Sequence, residues 1–320
     1  MSKPLVLTCD IGTQSARALL VDPDGRIVDV VQSKYAEPYF SKEPGWAEQK
    51  PNFYFDRLCA RSNALLPDVI AMTITVIRDT VVCLDANNEP LRDIILWLDK
   101  RTVDPNGAMP AKNMMLFKVA GMEPTAKVVY AASVGNWIMR PEPAIWARTA
   151  KYVMLPTYLN YKLTGNLIDS ASNQIGHIPF DYKNRRWMKP GSLTRCFCDV
   201  PNEKLCDLVP SGTVIGTVTD EVCALTGIPA GLPLISTGSD KGCETLGLAV
   251  VDSDKASISL GTTATIQFST TEYVEPQQFL PAYPGVLNDH YNPEIEIYRG
   301  LWLLSWFVKE FGTAAAIDAK

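Results

Sequence analysis

Four residues near the start of the chain combine groups that bind phosphate. Asp10 stands at the end of an apolar run, and Gly12, Thr13 and Ser15 follow it. Such a loop directs backbone N–H groups and hydroxyls at an anion, and the neighbouring carboxylate holds Mg²⁺, directly or through its water shell. The same residue types are common in turns, where Asp10 would only end a strand. The spacing therefore indicates a phosphate site, with a plain turn as the alternative.

Two later segments complete this chemistry. Asp240 lies in STGSDKGCETLG just after a predicted strand, and Gly261, Thr262 and Thr263 form a second Gly-Thr loop. Phosphoryl transfer requires polar groups around the phosphate oxygens, a metal, and a carboxylate that accepts the proton of the attacking hydroxyl. The three segments together predict phosphoryl transfer. A loop carboxylate bonded to the backbone is the alternative for Asp240.

Both Gly-Thr loops are predicted to lie between strands. The apolar run that ends at Asp10 precedes strands predicted over Arg17–Asp22 and Arg26–Val31, which a tight turn at Pro23–Gly25 connects. The segment KASISLGTTATIQFST, which begins at Lys255, repeats the order of strand, Gly-Thr loop and strand. Two such units far apart in one chain indicate two related lobes.

Helices are expected to cover the strands. The spacing of apolar residues predicts a helix over Asn52–Leu66, and further strands follow it, with another small strand cluster near Val214. The middle of the chain, from Asp104 to about Arg195, reads as helical and aromatic. Its rings fit a helical core better than a sugar cleft, which is the alternative; they are Trp137, Trp146, Tyr152, Tyr158 and Tyr161. The alternation of strands and helices predicts an α/β fold.

Composition limits the class of partner. The 320 residues are 47% apolar and 20% charged, and 30 basic against 35 acidic residues leave a net charge of −5. Without a dense Lys/Arg block, a small molecule is a better partner than nucleic acid or a membrane surface. The 8 cysteines lack the spacing of a zinc site and are predicted to be free buried thiols. The absence of a signal-like or membrane-spanning run predicts a cytoplasmic protein.

Several longer motifs make the chain similar to the FGGY family of carbohydrate kinases, which includes xylulokinases and glycerol kinases. The Asp-x-Gly-Thr loop is present at Asp10, and the segment PGWAEQ spans Pro44 to Gln49. A Trp-x-Asp-x-Arg pattern follows at Trp97, Asp99 and Arg101. The Gly-Asp loop of the catalytic base corresponds to Ser239-Asp240, and the second phosphate loop corresponds to Gly261, Thr262 and Thr263. The resemblance runs over nearly the whole chain.

This resemblance implies a ribonuclease H-like fold of the actin/hexokinase superfamily. It predicts an N-terminal lobe over residues 1–253, which binds the sugar and a phosphate, and a partial C-terminal ATP-binding lobe over 254–320. By the resemblance, Asp240 takes the proton from the sugar hydroxyl. Asp10 organises Mg²⁺ and phosphate, with Gly12, Thr13, Ser15 and the second loop contacting the nucleotide. ATP and Mg²⁺ are thus the expected cofactors, and a ketopentose such as xylulose is the favoured substrate.

The substrate contacts are predicted from a second set of residues. Arg78 and Asp79 lie where glycerol kinases have an Arg-Glu pair, and an Arg beside a carboxylate can bind neighbouring hydroxyls. Trp97 and Asp99 are candidates as well. An exposed ion pair is the alternative for Arg78 and Asp79, and a buried structural pair with Arg101 is the alternative for Asp99. Sequence alone leaves the sugar, and the roles of Tyr130 and of the helix around Trp137, open.

The chain is shorter than the family's usual length of about 500 residues, which two full lobes at usual domain sizes would give. The Gly-rich segment that holds adenosine is not in the sequence, and a partly covered second sheet predicts a homodimer or a separate C-terminal lobe as partner. Three functions follow as alternatives: a sugar kinase, a glycerol kinase-like enzyme, and an inactive fragment that only binds sugar or protein. An actin-like ATPase is disfavoured, because PGWAEQ and the Trp97 motif belong to the sugar kinases.

Overall fold

A computed structural model describes residues 3–58, 66–260, 263–297, 300 and 302–312. Within it the chain forms two compact units, Met1–Asp240 and Lys241–Lys320. The predicted lobe boundary at 253/254 stays a prediction.

The described strands and helices follow one another in groups along the chain. The strands are β1 (Leu5–Ile11), β2 (Ser15–Val21), β3 (Ile27–Lys34), β4 (Glu48–Gln49), β5 (Val69–Val76), β6 (Val81–Leu84), β7 (Ile94–Ile95), β8 (Lys151–Met154), β9 (Ile168–Ser170), β10 (Phe180–Asp181), β11 (Arg186–Trp187), β12 (Asp207–Val209), β13 (Val214–Thr217), β14 (Pro233–Ile235), β15 (Ala256–Leu260), β16 (Ala264–Phe268), β17 (Tyr283–Pro284), β18 (Tyr291–Asn292) and β19 (Glu294–Ile297). The α-helices are α1 (Phe53–Leu58), α2 (Ala111–Val119), α3 (Glu123–Ala132), α4 (Val134–Met139), α5 (Pro143–Arg148), α6 (Leu155–Thr164), α7 (Asp220–Thr226), α8 (Asp240–Gly247) and α9 (Trp302–Phe311).

The main sheet of the first unit has six strands in the order β13-β14-β5-β1-β2-β3. The predicted meander β1-β2-β3 is antiparallel. The strands β1, β5 and β14 are parallel neighbours, so their carboxyl ends meet at one edge of the sheet. Ligands of α/β sheets bind outside such carboxyl ends. This sheet is therefore what brings distant parts of the sequence together.

The alternation of apolar residues along β1 explains its place in the core. Leu5, Leu7, Cys9 and Ile11 are buried, and the residues between them are partly exposed. A strand alternates its side chains between the two faces, so β1 presents one face to the core. Helix α6 packs on the same core through its buried residues, which are Leu155, Pro156, Thr157, Tyr158, Leu159, Asn160 and Leu163. The predicted α/β architecture is thus present.

Strand β8 corrects one expectation for the middle of the chain. This region was expected to be helical throughout, but Lys151–Met154 is a strand that pairs with β6, so Tyr152 is not on a helix. The four-stranded sheet β4-β7-β6-β8 gives its backbone groups partners. Tertiary pairing of this kind overrides local helical periodicity, which a short apolar run does not settle. The short strands β9, β10 and β11 lie in the same region.

The aromatic residues of this region belong to the core, as the first of the two alternatives predicted. Tyr152 and Tyr158 are 2% and 1% exposed, and Trp137 is 9% exposed. Trp146 and Tyr161 are partly buried against the same clusters. Packing against these clusters therefore accounts for all five rings.

The strand cluster near Val214 is not separate from the first sheet. Strand β13 pairs with β14, and β14 pairs with β5 in the main sheet. The helix predicted over Asn52–Leu66 is observed in part as α1. Residues 59–65 lie outside the described ranges, and Leu66 begins a short 3-10 helix, Leu66–Asp68.

The second unit contains the predicted strand pair on both sides of the second Gly-Thr loop. Strands β15, β16 and β19 form an antiparallel sheet of three. Apolar side chains on this sheet and on α9 are exposed, among them Ile258, Leu260, Ile297 and Trp306. The expected exposed apolar surface is therefore present on this unit.

Seven cysteines are described, and all are free thiols. Cys9, Cys83, Cys198 and Cys206 are buried, whereas the other three are partly exposed. Burial raises the pKa of the Cys83 thiol to about 11, so this thiol stays protonated at neutral pH. Among the helices within the described ranges, none is long and apolar enough to cross a bilayer.

Candidate active site at the ends of the parallel strands

Three of the predicted site segments lie at the carboxyl ends of neighbouring parallel strands. Asp10 is near the end of β1, Arg78 and Asp79 follow β5, and Asp240 follows β14. Backbone and side-chain bonds join the strand ends: the Ile77 N–H donates to Ile11 O at 3.0 Å. The Thr237 hydroxyl donates to Ile74 O at 2.6 Å. We call this edge the strand-end site.

Asp10 lies within β1, one residue before its end, rather than in the turn itself. Its carboxylate pairs with Arg17 across the β1–β2 hairpin at 3.2 Å, and 37% of its side chain is exposed. The turn is closed by a bond from Gly12 N–H to Ser15 O at 3.0 Å. The side chain therefore keeps an open face toward solvent. Arg17 is a partner that the motif analysis missed, although it lies directly opposite Asp10 in the hairpin register.

Trp97, one of the predicted substrate residues, is hydrogen-bonded to the first phosphate loop. Its ring Nε1–H donates to the Thr13 hydroxyl at 3.0 Å across 84 positions of sequence. The hydroxyl of Ser15 accepts from Gln32 at 3.2 Å on the neighbouring strand. The first Gly-Thr loop is thus fixed by its neighbours, which limits the reorganisation needed to bind a ligand.

Asp240 begins helix α8 and is partly exposed. The two residues before it, Gly238 and Ser239, are buried, and the Ser239 N–H donates to Ser172 O at 3.1 Å. The first turn of a helix favours a negative charge. The position of Asp240 is therefore anchored through its backbone while its side chain reaches the surface.

Asp79 forms a pair with His177, which the sequence analysis did not identify. Its Oδ2 lies 2.9 Å from the His177 ring Nδ1, and its Oδ1 accepts from the His177 backbone N–H at 3.1 Å. The charge of Asp79 raises the pKa of His177, and burial opposes this change. Burial would raise the pKa of Asp79, but the charge of His177 and its hydrogen bonds lower it overall. The sequence feature that could have identified His177 is its position just after the polar turn DSASNQ.

The loop that carries His177 is held by a buried carboxylate. Asp169 is 0% exposed, and burial raises its pKa to about 6. Five donors surround its two oxygens at 2.8 to 3.2 Å; they are the hydroxyl of Thr157, the amides of Asn160, Asn173 and Gln174, and the backbone N–H of Ser170. A buried carboxylate with this many donors fixes the loop that follows it.

The PGWAEQ and Trp-x-Asp-x-Arg motifs meet in a second, closed cluster. Arg101 binds Asp99 at 2.8 Å and Glu48 at 3.1 Å, and its guanidinium lies 3.8 Å from the Trp46 ring centroid. The three charged side chains are 1 to 2% exposed. Asp99 also accepts from the Ala47 N–H at 2.6 Å. We call this set the buried ion cluster, and Asp99 belongs to it.

Other charged residues surround this cluster. Arg92 and Lys42 both bind Glu48, at 2.9 and 2.8 Å. A cavity of about 400 Å³ lies beside these two residues, and none of the predicted site residues lines it. Trp137 stacks on Arg101 at 4.5 Å, and the hydroxyl of Tyr130 accepts from Arg140 at 2.9 Å. Both rings therefore have structural partners.

The second phosphate loop is described only in part. Gly261 and Thr262 lie outside the described residues, and Thr263 is partly exposed next to β16. Among the residues that the structure does describe, no three His, Cys, Asp or Glu side chains come together to hold a metal. Asp10 offers one carboxylate beside the first Gly-Thr loop, and Mg²⁺ often uses only one or two carboxylates beside water and phosphate oxygens. The residues present fit a metal bound in that manner.

Comparison with known proteins identifies the family of the chain. Residues 5–247 match the FGGY family of carbohydrate kinases, N-terminal domain. The sugar kinase YgcE of Escherichia coli K12 is 25% identical over 328 residues, which cover 100% of this chain and 59% of that protein. The xylulose kinase of the same organism is 26% identical over 82% of this chain and 54% of its own length. The chain thus spans a little over half the length of these relatives.

The fold is similar to that of a solved carbohydrate kinase. The crystal structure of gluconate kinase from Lactobacillus acidophilus superposes with a TM-score of 0.80 at 20% identity, over 98% of this chain and 64% of that chain. The predicted α/β kinase fold is thereby confirmed. The chain belongs to the FGGY family of carbohydrate kinases, and its match to that family covers the N-terminal domain.

Proposed function

We propose that this chain carries the acceptor-binding and catalytic-base part of an ATP-dependent carbohydrate kinase. The reaction is phosphorylation of a hydroxyl of a sugar or polyol, with a ketopentose such as xylulose as the favoured acceptor. One observation supports this most directly: β1, β5 and β14 bring Asp10, Asp79 and Asp240 to the same edge of one sheet.

Asp240 is the proposed general base. It accepts the proton of the acceptor hydroxyl as that oxygen attacks the terminal phosphate. Its backbone is anchored at Ser239, and it lies in the first turn of α8. This support holds the carboxylate in place during proton transfer.

Asp10 is the proposed residue for Mg²⁺, through its water shell, with Gly12, Thr13 and Ser15 near the phosphates. The ion would supply positive charge to the phosphate oxygens. The open face of Asp10 and the fixed Thr13 hydroxyl suit such a ligand. Gly261, Thr262 and Thr263 are proposed as the second phosphate loop. The exposed apolar surface of the second unit would be covered by a further C-terminal segment or by a second copy, and the proposed location is the cytoplasm.

Turnover of the purified chain tests the proposal. ADP release would be measured with Mg-ATP and a panel of D-xylulose, other ketopentoses, sugar alcohols and glycerol. We expect turnover with one class of acceptor, and a loss of roughly 10²–10⁴ in kcat for Asp240→Asn, because a positioned base contributes about this factor. Asp207→Asn is the matched control, since Asp207 is exposed on β12 away from the predicted motifs.

The panel separates the alternatives. Turnover with glycerol alone would favour the glycerol kinase-like function. Near-normal turnover in Asp240→Asn would remove Asp240 as the base. Sugar binding detected by calorimetry without any turnover would support the inactive binding fragment instead. This alternative is considered because the chain covers little more than half the length of its relatives.

A further inference from the structure

Asp79 and His177 form a well-defined hydrogen-bonded pair that has no role in the proposed reaction. The two residues lie 98 positions apart and are joined by two hydrogen bonds, one to the ring and one to the backbone. Both side chains are partly exposed, 37% for His177 and 27% for Asp79. The pair therefore lies at the surface of the strand-end site.

The loop of His177 lies across the ends of two strands. Ser172 O accepts from the N–H of Ser239, the residue before the proposed base. Ile175 O accepts from the N–H of Asp79, which follows β5. One short loop thus contacts both the segment of the base and the segment of the predicted substrate residues.

The backbone around the pair takes conformations that must be held by their surroundings. Asp79 has a φ of 48°, which non-glycine residues rarely adopt. Gly176 has a φ of 151°, and a Cβ there would lie 2.2 Å from Asp79 Oδ1. The phenol of Tyr182 binds both the N–H and the carbonyl of Gly176, at 3.2 and 2.9 Å. Strained backbone of this kind is concentrated at functional sites.

The two nitrogens of the His177 ring have different environments. Nδ1 is bound to Asp79, whereas Nε2 has no hydrogen-bond partner among the residues that the structure describes. Each carboxylate oxygen of Asp79 makes one hydrogen bond to His177, one to the backbone N–H and one to the ring. These bonds orient the imidazole and leave its Nε2 as the ring atom that can bind a ligand.

We propose that His177 contacts the acceptor sugar through Nε2 as a specificity-determining residue, and that Asp79 is the positioning residue that orients its ring. This inference rests on the proposed function and changes the predicted role of Asp79 from a direct substrate contact to an indirect one. The ligand is a hydroxyl or ring oxygen of a sugar or polyol, because the imidazole offers one directed polar atom.

Two substitutions of His177 distinguish a ligand contact from a structural role. Gln places a polar group near the position of Nε2, and Asn places one near the position of Nδ1. We expect His177→Asn to weaken D-xylulose binding by about tenfold, the effect of one lost hydrogen bond to a ligand, and His177→Gln to retain more of the affinity. Calorimetry with D-xylulose measures both variants without requiring turnover. Asp79→Asn should raise KM more than it lowers kcat.

A second measurement reads the imidazole directly. The chain has only 2 histidines, so NMR resolves the His177 ring from that of His290, with His177→Asn giving the assignment. D-xylulose should shift the His177 ring resonance, and Asp79→Asn should lower its pKa, since Asp79 supplies the charge that raises it. Other titratable or charged groups near the pair include Arg78, Tyr152 and Cys198, which interact electrostatically with Asp79, and the phenol of Tyr182 on Gly176.

The outcomes separate this inference from the proposed function. Unchanged D-xylulose affinity in both His177 variants, with wild-type turnover, would overturn the inference and leave the kinase function in place. Equal loss in both variants, with no ring shift on adding sugar, would assign His177 a structural role only. If the wild-type chain neither binds nor phosphorylates any acceptor of the panel, the proposed function and this inference fail together.

Discussion

The buried ion cluster and the strand-end site contain the same kinds of charged groups but differ in their access to water. In the cluster, the side chains of Glu48, Asp99 and Arg101 are 1 to 2% exposed, and Arg101 forms ion pairs with both carboxylates. At the strand-end site, the Asp10 and His177 side chains are each 37% exposed. Both regions include residues of motifs that carried the family resemblance.

The difference separates two uses of charge. Buried charges must be paired, and a fully paired set stabilises one arrangement of its loops without offering a site to a ligand. Charges with an open face keep part of their hydration and can exchange it for a ligand. The Trp97 motif contributes to both regions. Trp97 donates a hydrogen bond to Thr13 at the strand-end site, whereas Asp99 and Arg101 belong to the buried ion cluster.

The largest effect on stability is expected from Arg101→Ala. Removing this guanidinium leaves the buried Asp99 carboxylate without its ion-pair partner and takes one of three cationic partners from Glu48. The free energy of unfolding should therefore fall by about 3–5 kcal/mol. Urea denaturation followed by tryptophan fluorescence measures it, since Trp46 and Trp137 contact Arg101. Arg186→Ala, at an exposed arginine, should change the value by no more than about 0.5 kcal/mol. Equal effects of the two substitutions would remove the distinction between the closed and open regions.

A smaller effect is expected from Gly176→Ala. The added Cβ would meet the Asp79 carboxylate, so stability should fall by about 1–3 kcal/mol and the His177 ring should move. Thermal denaturation and the NMR signal of His177 would report the two changes. Gly247→Ala is the control, because a Cβ at that helical position meets nothing within 4 Å. A Gly176→Ala protein as stable as this control would show that the pair tolerates rearrangement.

Asp10→Ala should affect binding more than stability. Its ion pair with Arg17 is exposed, and such pairs contribute at most about 1 kcal/mol. Affinity for Mg-ATP, measured by calorimetry, should fall about tenfold, because an ionised hydrogen-bonding group is lost from the ligand. Unchanged Mg-ATP affinity would exclude Asp10 from the phosphate site.

The smallest effect is expected in the pH dependence of stability. The raised pKa of His177 gives a contribution that is present below its ordinary value of 6.5 and is lost as pH rises through the raised value. The lowered pKa of Asp79 gives a contribution that is present above 3.8 and is lost as pH falls. The difference in unfolding free energy between wild type and His177→Asn should therefore be largest between these limits. A difference independent of pH would mean that the pair is not ionic.

Much of the fold could be predicted because its signals are local. The apolar alternation in β1, the turn at Pro23–Gly25 and the repeated Gly-Thr hairpins are readable within a few residues. The same is true of the motifs that indicate phosphoryl transfer. Strand β8 was missed because its backbone partners lie on β6, about 70 positions away in the register of that sheet.

The sequence by itself determined the family, the α/β class and the candidate groups Asp10 and Asp240, since these follow from residue types and short spacings. Only the tertiary structure decided which carboxylate is buried and which is accessible to solvent. Asp99 and Asp79 both lie beside an arginine or a strand end in the sequence. One is enclosed with Glu48 and Arg101, and the other meets His177 from 98 positions away. Solvent access and contacts with distant residues depend on how separate segments pack, so they cannot be read from the local sequence around either residue.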